Sequence, residues 1–326
     1  MLDHWYQQIC KNYVKQIPIL HKDLLSPDKK QELLTTFKSS EYSSSIVIEE
    51  LDKVKEITSL QYKNKVHLNI LEIPDQPIDL RIYRKVVQRI ATLLEMYDGP
   101  FLEFWILPCK HLRTLPSKDE PITPSNVNGG FTFHQLGKIY IFRESEFPKV
   151  ALHETLHNLK LFDIRHWKNA DLKKLYDTFH LNQDGCQSYC MTCCYTQLEP
   201  NEAIIELWAV LFQVMFVAYE MHFDYNTMMD MILIEQRWAQ YTSQLLVERG
   251  ALKQKEPWIE ETHTFSYILL KSALLQDLKG FLSISMPYQS TQLTHYLLEA
   301  VRKGTFAKKH PIFENIPFRF AWFSDL

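Results

Sequence analysis

The run His153-Glu154-Thr155-Leu156-His157 constrains this chain more than any other five residues. At 3.6 residues per turn, positions i and i+4 of an α-helix project from one face, so both imidazoles can reach a single zinc ion at about 2.0–2.1 Å. Glu154 then points beside them, able to take a proton from a water that the metal has acidified and pass it to a leaving amine. The bland alternative is two histidines on an ordinary amphipathic helix, so the motif needs its helical context. Pro148 supplies a start, because its missing N–H has no intrahelical partner in a first turn, and the helix is expected to run to about Leu161.

Ahead of that helix the pattern mixes strands and helices. Residues 45–49 (SIVIE), 66–72 (VHLNILE) and 101–107 (FLEFWIL) read as strands from their β-branched or alternating composition. Between the last two, Ile82, Val86, Val87, Ile90, Leu93 and Leu94 recur at helical spacing and predict a helix over 78–97 that backs a sheet. A proline-rich stretch over 116–124 leads into Asn128-Gly129-Gly130. Residues 131–134 and 138–143 then read as a hairpin around Gln135-Leu136-Gly137. Beyond Pro148 the pattern is helical, with further helices expected over 201–219, 226–248, 262–278 and 291–302. The expected organisation is an α/β lobe over 1–147 ending in an edge-strand hairpin, then a mainly helical lobe over 148–326 that opens with the active helix.

The second helical lobe carries Asn201-Glu202-Ala203-Ile204-Ile205-Glu206, which opens a helix otherwise apolar nearly all round through Phe216. Two carboxylates one turn apart on a buried helix are costly unless they are paired or bind a cation. With His153 and His157 upstream, Glu202 reads as the third metal ligand. Glu206 reads as the acceptor of a metal-bound histidine's N–H, fixing its tautomer. For Glu202 alone the alternative is an acid favoured by a helix N-terminus.

Hydrolysis also needs a donor for the oxyanion of a tetrahedral intermediate. His263 and Tyr267, four apart, share a helical face and are the first choice; Tyr288, His295 and Tyr296 are weaker, and each could be an ordinary interface aromatic. Cys186, Cys190, Cys193 and Cys194 form a C-x3-C-x2-C-C cluster, read as free or disulfide-bonded in preference to a second, structural metal site. Arg143, Glu144 and Glu146 read as a solvated turn feeding the active helix in preference to residues that contact substrate. Gly129 and Gly130 lack a following Lys-Ser/Thr and read as permitting a turn, or close approach of backbone to a bound peptide.

A net charge of -3, from 36 basic and 39 acidic residues, gives no electrostatic reason to seek nucleic acid or an anionic membrane. The longest apolar run, 207–219, is interrupted by Gln213 and falls short of the roughly 18 to 20 residues that cross a bilayer. The N-terminus lacks a signal pattern, and six cysteines without a glycosylation sequon point to the cytoplasm.

Together these residues resemble a known pattern. H-E-x-x-H followed by a helix bearing N-E-x-x-x-D/E is similar to the glutamate zincins, the thermolysin- and neprilysin-like metallopeptidases, in which the first Glu of the second motif binds zinc. Those positions here are His153, Glu154, His157, Glu202 and Glu206. Val127-Asn128-Gly129-Gly130-Phe131-Thr132, Ile139-Tyr140-Ile141-Phe142-Arg143, Lys149-Val150 and Glu202-Ala203-Ile204-Ile205-Glu206-Leu207-Trp208-Ala209 look like the metallopeptidases of nucleocytoplasmic large DNA viruses. The likeness spans about residues 100 to 270. Two departures stand out: Glu206 replaces the Asp of thermolysin-like enzymes, and 45 positions separate His157 from Glu202, more than in thermolysin. The resemblance implies an α+β, zincin-like fold with a twisted mixed sheet, a backing helix and an active-site helix. It also implies one catalytic Zn2+, a peptide or protein substrate, and a viral chain in the host cytoplasm or virion. The alternative is a binding or virion-structural protein that keeps the zincin fold without turnover.

Overall fold

The computed structural model describes residues 1–40, 42–118, 120–133, 136–162, 164, 167–179, 198–252, 260 and 262–326. The fold is α+β, with one mixed six-stranded sheet ordered β1-β2-β3-β4-β6-β5. The strands are β1 (Ile19–Leu24), β2 (Glu56–Tyr62), β3 (Val66–Glu72), β4 (Leu102–Ile106), β5 (Gly130–Phe133) and β6 (Lys138–Ile141). β3, β4 and β6 are parallel; β1, β2 and β5 run antiparallel to their neighbours. The hairpin expected after Asn128 is therefore present, with β5 at the sheet's edge. His134 and Gln135 of its turn lie outside the described residues.

The helices in this half are α1 (Leu2–Asn12), α2 (Pro27–Ser39), α3 (Ser45–Lys53), α4 (Leu80–Met96) and the single turn α5 (Pro124–Val127). A parallel pair needs a crossover, and α4 supplies it between β3 and β4. Strand alternation then sorts side chains onto two faces. Val66, Leu68, Ile70, Leu102, Phe104, Ile106, Ile139 and Ile141 pack with Val86, Val87 and Ile90 of α4. The alternate positions Leu71, Trp105, Tyr140 and Phe142 pack instead with Leu33, Phe37, Val47 and Leu51 of α2 and α3. Each aliphatic side chain so buried contributes about 1.5–3 kcal/mol.

The strand expected over 45–49 is instead the start of α3. Val47 and Leu51, one helical turn apart, are both fully buried under the sheet. The β-branched composition of Ser-Ile-Val-Ile-Glu favours a strand locally, and this tertiary burial overrides it. α1, β1, α2 and β2 are elements the sequence pattern did not bring out.

The remaining helices are α6 (Phe147–Leu159), α7 (Asn169–Phe179), α8 (Pro200–Glu220), α9 (Tyr225–Arg249), α10 (Lys271–Gln276), α11 (Leu278–Leu282) and α12 (Ser290–Arg302). A π-helical turn over Ser266–Leu270 leads directly into α10. α6 packs on both α4 and α8, so nearly its whole circumference is buried. α8 is 21 residues long and apolar enough to cross a membrane by length and composition, yet 89% of that span is buried inside the protein. Trp208 of α8 stacks on Phe162 at 4.4 Å, and Trp5 of α1 closes edge-on against it at 5.6 Å. These contacts anchor α8, which carries Glu202 and Glu206, to α1 and to the segment that follows α6. The cysteines Cys186, Cys190, Cys193 and Cys194 lie outside the described residues.

Candidate metal centre

α6 begins at a sharp turn. Glu146 adopts a left-handed conformation (φ 65°), and Pro148 occupies the first turn. The helix then presents Lys149, His153 and His157 at successive turns toward α8, which presents Glu202 and Glu206 one turn apart. His153 Nε2 lies 3.1 Å from His157 Nε2. Glu202 Oε2 lies 3.2 Å from the first and 3.4 Å from the second. His153, His157 and Glu202 therefore form a group that could hold one metal ion, each offering one ligand atom to a common point.

The Glu202 oxygen at the centre of this group is buried and makes no hydrogen bond among the described residues. Burial pushes its carboxyl up, but His157 and His153 outweigh that and hold it well below the usual carboxylate range. Burial also works against charge on His153, yet the neighbouring carboxylates of Glu202 and Glu206 raise it to about 9. His157 is raised too, with burial opposed by Glu202. Glu154 behaves in the opposite sense: burial raises its carboxyl, only partly countered by the two histidines. A carboxyl with a raised pKa beside two imidazoles holds a proton more readily than a free carboxylate.

Glu206 is the other buried acid. Its Oε2 lies 2.9 Å from His153 Nδ1, and both its oxygens take hydrogen bonds from Lys149 Nζ, at 2.6 and 2.8 Å. Lys271 Nζ stands 3.9 Å away. These cations and His153 overcome the upward push of burial and keep Glu206 ionised. An ionised carboxylate only accepts, so His153 Nδ1 donates its N–H to Glu206, and Nε2, which faces Glu202, is the nitrogen a metal would take by displacing its proton.

Tyr267 closes one side, its ring centroid 5.9 Å from that of His153 and 6.2 Å from that of His263. Burial, then the charges of Glu202 and Glu154, hold its hydroxyl well above the usual phenol range, so it keeps its proton. Tyr267 N donates to His263 O at 2.9 Å, after which the π turn widens the helix at Tyr267 itself. Such turns recur at functional sites because they re-aim one side chain. Tyr267 thus stands by the ligand group and His263 one step further out. The weaker candidates lie elsewhere: Tyr288 accepts the indole N–H of Trp208, Tyr296 donates to Asp277 O, and His295 is exposed.

Arg143 and Glu146 correct the expectation of a solvated turn. Both are at most 1% exposed. Arg143 donates to Asn128 O and Ser125 O, each at 2.7 Å, and to His111 O at 3.3 Å, so it ties the loop before β5 together. Glu146 pairs with Arg113 and accepts the N–H groups of Phe320 and Ala321. Gly130 does permit a close backbone approach, but to β6 of its own hairpin: a Cβ there would meet Tyr140 O at 2.7 Å.

Sequence reasoning missed the segment that backs the site. Phe320 O accepts from Lys271, and the Phe320 ring lies under Arg113 at 4.0 Å and beside Tyr267 at 5.3 Å. Trp322 N and Phe323 N donate to Glu235 of α9. It also missed Lys149 and Lys271, although both continue rows of four-residue spacing through His153 and Tyr267. Comparison of the chain with protein-family models, with curated proteins and with solved structures gives no match.

Proposed function

We propose that this chain is a zinc-dependent peptidase of the glutamate-zincin type, with His153, His157 and Glu202 as zinc ligands and Glu154 as general base and acid. The donor geometry carries this reading. Ligands at about 2.0–2.1 Å from a tetrahedral zinc stand about 3.3 Å from one another, and the three donor atoms here are 3.1 to 3.4 Å apart. The buried Glu202 oxygen, which both histidines approach without a well-aligned hydrogen bond, is a second support, since a cation between the three would give it a close partner.

Zinc held there supplies a Lewis acid that polarises a carbonyl and acidifies water. Glu154, next in sequence to His153, accepts the proton of the attacking water and returns it to the departing amine. Tyr267, protonated and buried beside His153, donates a hydrogen bond to the oxygen on which charge develops, with His263 behind it. β5 at the sheet edge, tied to α6 through Asn158 Nδ2 and Thr132 Oγ1 at 3.3 Å, offers backbone groups on which an extended peptide adds as a further strand. The test is metal content per chain combined with cleavage of a peptide library. One zinc with cleavage supports the peptidase, zinc without cleavage supports the non-catalytic zincin alternative, and no zinc overturns the peptidase.

A further inference from the structure

We propose that Lys149 is a positioning residue of the metal centre: it grips both oxygens of Glu206 and thereby holds the carboxylate against His153 Nδ1, leaving Nε2 for the metal. The proposal rests on the metal reading above and assigns a role within it to a lysine outside the H-E-x-x-H motif.

The grip is specific. Lys149 Nζ is 2.6 Å from Oε1 and 2.8 Å from Oε2, and Oε2 is the oxygen that faces His153 Nδ1 at 2.9 Å. Both side chains are almost wholly removed from solvent, at 2% and 1% exposure. A buried ammonium is tolerated only with a matched acceptor, and Glu206 is that acceptor. Without that two-oxygen grip the carboxylate is free to rotate toward Lys271, whose Nζ stands 3.9 Å from Oε1, and away from the imidazole. Lys271 does not substitute for Lys149, because its own hydrogen bond goes to Phe320 O.

Spacing adds a reason. Lys149 sits one turn before His153 on α6, and Glu206 one turn after Glu202 on α8. The pairs Lys149–Glu206 and His153–Glu202 are therefore parallel rungs between the same two helices. The first rung sets the depth and rotation at which the second meets. A plain clamp between α6 and α8 would have the same ion pair but would not govern the proton on His153, and this difference is measurable.

The experiment uses the full chain and zinc itself, with affinity read by competition against a chelator. Variants are Lys149→Met, Glu206→Gln and the double substitution. Lys149→Met, folded by circular dichroism, is expected to lose about 10- to 100-fold in zinc affinity, as for other lost supports of a liganding histidine. In zinc-loaded protein the His153 Nδ1–H resonance, protected in the parent, should exchange faster in Lys149→Met. Because Lys149 acts through Glu206, the double variant should bind zinc no more weakly than Glu206→Gln. Zinc affinity of Lys149→Met within about twofold of the parent, or losses that multiply in the double variant, overturns the proposal. Should Lys149→Met fail to fold, the comparison of Glu206→Gln with the double variant, which removes both charges together, decides alone. A parent chain that binds no zinc overturns the metal reading itself, a result distinct from an unaffected Lys149→Met.

Discussion

Glutamine at position 202 and glutamine at position 206 should fail in opposite assays. Glu202 Oε2 faces the Nε2 atoms of both histidines, whereas Glu206 faces only the Nδ1 side of His153. If the roughly 10–16 kcal/mol of a four-ligand zinc site is shared evenly, one ligand carries about 2.5–4 kcal/mol. Glu202→Gln should therefore weaken zinc by roughly two to three orders of magnitude, while Glu206→Gln, which keeps all three ligands, costs about 10- to 100-fold. The ranking reverses for the metal-free fold. Glu206 neutralises buried Lys149, with Lys271 near by, and leaving a buried partner uncompensated costs about 3–5 kcal/mol. That is a large share of a typical total of about 5–15 kcal/mol. Glu202→Gln unpairs no lysine, and its histidine neighbours can release protons, so its urea midpoint should fall less. Chelator competition and urea unfolding of the metal-free variants at pH 8 measure both rankings. A weaker zinc affinity in Glu206→Gln than in Glu202→Gln would refute the ligand assignment and move it by one helical turn.

Glu154→Gln should retain zinc and lose hydrolysis of a peptide substrate, since the amide keeps the shape without the basicity; turnover at the parent rate removes Glu154 from the chemistry. Tyr267→Phe should lower kcat by about 10²- to 10³-fold with KM and zinc affinity unchanged, the pattern of a donor felt only as charge develops. Zinc affinity should rise with pH, because binding displaces the proton that His153 holds up to about 9. The sign is loss on acidification, about tenfold per pH unit below that value while one proton is displaced, and a titration flat between pH 7 and 9 contradicts it.

The candidate site was legible because helical spacing is a short-range property: 153 with 157 and 202 with 206 meet on one face whatever surrounds them. Bringing the two pairs together needs only that the apolar surround of α8 be buried, which its composition also states. Lys149, Arg143 and Glu146 were not legible. A charged residue is nearly always solvated, so nothing in the local sequence distinguishes these three, and only their partners at Glu206, Asn128 and Phe320 do. The same holds for residues 45–49, where the buried pair Val47 and Leu51 fits a helix or a strand end until the sheet beneath them is present. The rows 149/153/157 and 263/267/271 are a signal that could have been used. A basic residue one turn beyond each site residue is a pattern that α6 and the segment into α10 share.

The backing segment at Phe320 to Phe323 sets an order of assembly. Glu146, at the start of α6, receives its backbone partner from a residue 174 positions later. A ribosome adding about 5–20 residues per second completes α6 and α8 many seconds before that partner exists. During the interval the emerging chain carries both histidines and Glu202 but not the Phe320 carbonyl that holds Lys271, nor the amides that hold Glu146 and Glu235. Closing so long a loop is also a slow step in folding. The arrangement of His153, His157 and Glu202, braced from Phe320 to Phe323, is consequently completed only late in synthesis.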